Sequence, residues 1–284
     1  MREIVQPGRP VAERIQWAEA SGRAFKFTLE SGLPLLEAVR RGFAAQGFSG
    51  GTLNIKGGAV GPFAYVMPAL SKTPEHAAFY SETFRPQGLT RLKLAAMTLG
   101  VRDDAPFFHC HGLWTEANGR ANGGHMLPEE TFVAEPFEVD AFGIDGAVFA
   151  AEPDPETNFK LFGPVASGAR GASTTARALA LRLRPNQDVA TALEGFCREH
   201  GISRATIHGG VGSTIGARFS DGRIVAPFAT ELAITSGIIA PGAGGLEAEL
   251  DIALVDHTGG LAEGRLVRGD NPVLMTMELV LEAL

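Results

Sequence analysis

Phe25-Lys-Phe-Thr-Leu29 alternates apolar and polar side chains, the period-two pattern of a strand with one buried face. Leu179-Ala-Leu-Arg-Leu183 repeats the plan in the second half of the chain. In each half a helical pattern follows, Leu33 to Gln46 and then Gln187 to His200, and each ends at a glycine, Gly47 or Gly201, placed for a left-handed C-cap. At one constant offset Leu29 aligns with Leu183, Ala38 with Ala192, Gly47 with Gly201, Ser49 with Ser203 and Thr52 with Thr206.

The correspondence continues through a glycine-rich turn, Lys56 to Gly61 against His208 to Gly212, and a strand ending at Gly100 or Gly237. A hairpin closes each unit, around Asn118-Gly119 or Gly259-Gly260. Strand, helix and then mostly strands predict an α+β fold: two tandem copies, each a largely antiparallel sheet with one main helix. The expected layout is an N-terminal arm over 1–20, a first domain over 21–166, a linker over 167–176 and a second domain over 177–284. Within the arm, Val11 to Ala20 reads as a short amphipathic helix. AAEPDPETNFKLFGP, after the first repeat, reads as a Pro-rich segment draped over its own domain.

The 284 residues suffice for two ordinary domains, and 45% hydrophobic with 20% charged residues is a globular composition. A net charge of −7 argues against a protein that grips DNA mainly through phosphates. The two cysteines, Cys110 and Cys197, fit neither a disulfide framework nor a CxxC metal site and read as free thiols. No apolar signal region opens the chain, and Gly237, Pro241 and Gly242 interrupt its longest apolar stretch. A cytoplasmic protein with no membrane partner is expected.

Three of the seven histidines, His109, His111 and His125, fall in FFHCHGLWTEANGRANGGH. On a strand over Phe107 to Trp114, His109 and His111 share a face and Cys110 points to the other. A loop of about three residues around Asn118-Gly119 sets His125 opposite His111 on the next strand. Three imidazoles then converge as a donor set for a divalent ion of the zinc type, and the same set suits nickel, copper or iron. The competing reading is a purely structural histidine cluster on a polar face or subunit interface. Gly123 and Gly124 are expected to leave room for an ion or a substrate. In the second half Glu249, Asp251 and Arg265 take the corresponding places, where carboxylate–guanidinium pairs would replace the triad.

Other signals are weaker. The glycine-rich turns match neither GxGxxG nor the P-loop and read as tight packing turns. Arg85 is a candidate for an anionic ligand, and Glu116 and Glu129 for orienting an imidazole or serving as base.

The HxH strand, the Asn-Gly turn and the following Gly-Gly-His resemble the plants-and-prokaryotes conserved domain, PPC or PCC. The GGxVG turn and the strand–helix opening of each repeat support the resemblance, which spans nearly the whole chain as two units. It implies a compact α+β domain that assembles as a homotrimer, with His109, His111 and His125 holding a metal, usually zinc. It also implies DNA binding, a description tied to plant members that carry a separate AT-hook; Pro7-Gly-Arg-Pro10 shares only the GRP of that hook and reads as a turn. Two functions follow as expectations. One is a metal-dependent oligomer that acts on or senses a small molecule, as an enzyme or otherwise. The alternative is a DNA-binding or regulatory oligomer with structural histidines.

Overall fold

A computed structural model describes residues 2–284. In the first half the elements are β1 (Ile15–Leu29), α1 (Leu35–Ala45), β2 (Gly51–Ile55), β3 (Ala59–Val60), β4 (Tyr65–Val66), β5 (Pro68–Leu70) and β6 (Ala78–Tyr80). They continue as β7 (Thr90–Arg102), β8 (Ala105–Thr115), β9 (Ala121–Met126), β10 (Val133–Glu135), β11 (Phe137–Asp145), β12 (Ala147–Pro153) and β13 (Lys160–Ala166). The second half holds β14 (Ala176–Leu183), α2 (Val189–Glu199), β15 (Ala205–Arg218), β16 (Ile224–Gly242), β17 (Gly245–Asp256), β18 (Leu261–Arg265) and β19 (Val273–Ala283). The α+β expectation thus becomes a mostly antiparallel sheet structure with two helices.

Neighbouring strands run β1–β11–β2–β7–β8–β9 in the first half and β14–β19–β15–β16–β17–β18 in the second. Every one of these pairings is antiparallel, and β12 with β7 is the single parallel pair among the described residues. Leu35, Val39 and Phe43 of α1 pack on one face of the first sheet against Leu53, Met97, Phe108 and Cys110. Leu193, Phe196 and Cys197 of α2 do the same against Leu181, Ile207 and Leu250. Both cysteines are free and buried, as their apolar packing requires.

The arm differs from its expectation. Residues 15–20 are strand, not helix: Ile15 to Gly22 pairs with β14, and Ser21 to Leu29 pairs with β11. Ile15 and Ala18 satisfy a helical spacing as readily as an extended one, and the open edge of β14 decides the matter by offering a complete hydrogen-bond ladder. The Pro-rich segment also differs, because it forms the hairpin β12–β13 and reaches the other half of the chain. Its buried Asp154 accepts hydrogen bonds from Arg182 (2.8 Å) and Arg184 (2.6 Å) on β14 and its extension.

The sheet faces turned away from the two helices meet each other. Ala96 of β7 packs with Val211 and Ala233, and the Phe142 and His208 rings stack with centroids 4.1 Å apart. At Gly209 a Cβ would lie 2.5 Å from the Thr52 Cβ, so glycine there lets the sheets approach. The second glycine-rich segment is therefore not the turn expected from the sequence: it lies inside β15, at a register shift between His208 and Val211. The face of β8 that carries His109 and His111 looks into this junction.

Candidate metal centre

Strand register brings the three histidines together. His109 and His111 lie two residues apart on β8, and His111 is the direct cross-strand partner of His125 on β9. The connecting turn closes with Glu116 N–H donating to the Arg120 carbonyl and Gly119 N–H to the Glu116 carbonyl, leaving three residues at the tip. Cys110 points to the opposite face, where its sulfur lies 3.6 Å from that of Met126.

The His109 and His111 Nε2 atoms are 3.0 Å apart, and His111 Nε2 is 3.3 Å from His125 Nδ1. All three donor atoms lie within 4.8 Å of one another. Nitrogens sharing one tetrahedral ion at 2.0–2.1 Å stand about 3.3 Å apart, which the two spacings at His111 approach.

The far side of each ring sets its protonation. His111 Nδ1 lies 3.0 Å from the Leu232 carbonyl, which can only accept, so this nitrogen carries the hydrogen. His109 Nδ1 lies 3.0 Å from Glu278 Oε1 and donates to it in the same way. In neutral rings both Nε2 atoms are then bare lone pairs facing each other, an arrangement that a cation relieves. Burial, reinforced by His109 and His125, holds the His111 pKa well below the usual histidine range. Burial, with His109 and Arg102 adding to it, does the same for His125. Neutral imidazole is the form that binds metals.

Two carboxylates complete the surroundings, and both come from the second half. Glu278 on β19 is fully buried; one oxygen serves His109, and Oε2 has no partner. Glu231 on β16 is 6% exposed, its Oε1 lies 3.9 Å from His111 Nε2 and its Oε2 has no partner. Burial pushes the Glu231 carboxyl well above the ordinary carboxylate range. A cavity of about 50 Å³ adjoins the triad, lined by His109, His111, Tyr80, Glu231 and Thr276. A cleft of about 280 Å³ lies beside it, lined by His109, His125, Tyr80, Arg102, Lys160 and Glu278.

The other sequence candidates lie elsewhere. Arg85 is exposed and paired with Glu130 at 2.6 Å. Glu116 accepts a 2.7 Å bond from the Tyr65 hydroxyl in a buried cluster with Asn122, and Glu129 is exposed. Gly123 and Gly124 leave no room for an ion: a Cβ on Gly124 would meet the Val66 carbonyl oxygen at 2.3 Å, and one on Gly123 would meet Leu113 at 2.6 Å. Their space is taken by neighbouring chain. Gly8, in the Gly-Arg-Pro segment, is tied down by its N–H donating to the Glu156 carbonyl at 2.9 Å.

At the corresponding hairpin of the second half, Asp251 pairs across strands with Arg265 as His111 does with His125. The Arg265 guanidinium donates to Asp251 at 3.1 and 3.0 Å and contacts Glu249. The three positions thus hold a cluster of ion pairs.

Glu231, Glu278 and the Leu232 carbonyl were not among the sequence candidates. No local pattern marks them, because packing of the two halves brings them to the triad.

Residues 170–284 match the sequence profile of the Plants and Prokaryotes Conserved (PCC) domain. No curated protein shows significant similarity to the chain. Among solved structures, a metal-containing protein from Archaeoglobus fulgidus is 18% identical, with 51% of this chain and 96% of that one covered at a TM-score of 0.40. A plant- and prokaryote-conserved (PPC) protein from Pyrococcus horikoshii is 17% identical, with coverages of 53% and 97% and a TM-score of 0.41. A candidate DNA-binding protein from Bacteroides thetaiotaomicron is 14% identical, with coverages of 50% and 96% and a TM-score of 0.37. The profile match leaves the triad outside its bounds and covers the strands that bring Glu231, Leu232 and Glu278. Over residues 170–284, the chain is thus similar to the PCC domain.

Proposed function

We propose that the protein binds a divalent transition-metal ion through His109, His111 and His125 and acts on, or senses, a small molecule in the adjoining cleft. The observation that carries this reading is the inward turn of two bare nitrogens. Leu232 and Glu278 hold the outer nitrogens of His111 and His109, so both Nε2 lone pairs aim at one point. With both rings neutral, two lone pairs oppose each other at 3.0 Å, which a bound cation relieves and a purely structural cluster does not.

A bound ion of the zinc type would supply Lewis acidity toward a water or a polar ligand. The chain's own groups then orient and select. Glu278 fixes the His109 ring, and Tyr80 walls both the cavity and the cleft. Arg102, stacked over Phe107 at 5.1 Å, and Lys160, paired with Asp103, line the cleft side.

The second half is read here as a diverged copy of the first. The matching strand orders support it, as does the helix that follows the first strand of each half. On this reading the ion pairs of Arg265 fill the place of an ancestral metal site. A homotrimer is the assembly that the family resemblance implies.

Metal analysis of the purified protein beside His111→Ala tests the site. A loss of about one ion per chain is expected, and equal content in the two would overturn it.

A further inference from the structure

Glu231 is the least satisfied carboxyl group near the triad. It lies on β16, its side chain is almost wholly buried, and no lysine or arginine pairs with it among the described residues. A carboxyl taken out of water needs a cation or donors if it is to ionise, and Glu231 has no lysine or arginine partner and an unpartnered Oε2. Its one close titratable neighbour is His111, whose Nε2 is the nitrogen turned toward the metal position. Glu231, His109 and His111 line the same small cavity, so the carboxyl shares the space onto which the imidazoles open. The next residue, Leu232, holds the His111 ring through its carbonyl, which fixes β16 against the triad.

We propose that Glu231 is the fourth protein ligand of the ion, making a three-histidine, one-carboxylate centre shared by the two halves of the chain. The proposal rests on metal binding by the triad and extends it. Donor atoms on neighbouring positions of one ion stand about 3.0–3.4 Å apart. From 3.9 Å, the Glu231 oxygen has to close on the His111 nitrogen and swing toward His109 and His125, a move made by side-chain torsions.

The consequence is chemical. Four protein ligands close a tetrahedral ion and leave it a structural role. The same four leave two open positions on an octahedral ion, and a mixed nitrogen–oxygen set suits manganese, iron or nickel as well as zinc. Chemistry at this centre therefore requires an ion that expands beyond four ligands.

Cobalt(II) loaded into the metal-free full-length protein is the probe, because its visible bands report ligand number and type. The wild type, Glu231→Gln, Glu231→Asp and His111→Ala are compared for affinity, spectrum and unfolding of the metal-free form. The expected result is that Glu231→Gln weakens cobalt at least about tenfold and shifts its bands. Glu231→Asp should fall between it and the wild type. Metal-free Glu231→Gln should unfold no earlier than the metal-free wild type, since an unpaired buried carboxyl has been removed. Unchanged affinity or bands in Glu231→Gln, with binding abolished in His111→Ala, would overturn Glu231 as a ligand and leave the triad standing. Undiminished binding in His111→Ala would instead overturn the triad itself.

Discussion

His109 Nδ1 donates to Glu278 Oε1 across 3.0 Å, joining residues 169 positions apart in the chain. The carboxylate fixes both the tautomer and the angle of the ring, so its effect should reach the metal without direct contact. Glu278→Gln keeps the shape and removes the charge. Isothermal titration should show metal affinity reduced about 10–100-fold with stoichiometry retained.

Arg265 offers the opposite case. Its pairs with Asp251 and Glu249 are exposed, where water and salt screen them. Arg265→Ala should cost no more than about 1 kcal/mol in denaturant unfolding. Metal content should stay at the wild-type level, because the triad lies on the other hairpin.

Asp145 ties down the segment between β13 and β14. Its carboxylate accepts from the N–H groups of Arg170 (2.8 Å), Gly171 (2.9 Å) and Ala172 (3.0 Å), which lower its pKa. A carboxyl with a depressed folded pKa stabilises fully above its unfolded value. That contribution is lost as pH falls through the folded value. Unfolding free energy should decline between about pH 5 and pH 2, and Asp145→Asn should flatten part of that slope. At neutral pH, Asp145→Ala should cost about 1–3 kcal/mol.

Gly124 sits at φ +153° with the Val66 carbonyl against it. A methyl group there would push β4 away from β9 and move His125 with it. Gly124→Ala should destabilise the fold by about 3 kcal/mol in thermal or denaturant unfolding and weaken metal binding as well.

Duplex DNA is expected to be a poor ligand. The net charge is −7, and Arg85, Arg91 and Lys93 on the first half are each engaged with a glutamate. Retention on a duplex column should be absent even at low salt; strong, salt-sensitive retention would revive the DNA-binding alternative.

What was legible in the sequence was local. Alternation marked β8, the Asn-Gly turn set its register with β9, and those two facts were enough to place His125 across from His111. Helix periodicity and the closing glycines bracketed α1 and α2 within about two residues. What was illegible depended on the partner half. Ile15 to Ala20 became strand because β14 offered an edge, which a window of sequence does not contain. Gly123 and Gly124 looked like space for a ligand, yet Leu113 and Val66 occupy it. Glu231 and Glu278 look like ordinary strand glutamates until the sheets are packed against each other.

β1 joins the strands of the two halves into one continuous sheet: its first half pairs with β14 and its second half with β11. Covalent continuity through residues 167–175 is therefore redundant for holding the halves together. A chain cleaved in that stretch should still migrate as one species under native conditions. The two pieces would separate only when the β1–β14 ladder and the packed faces beside it are unfolded.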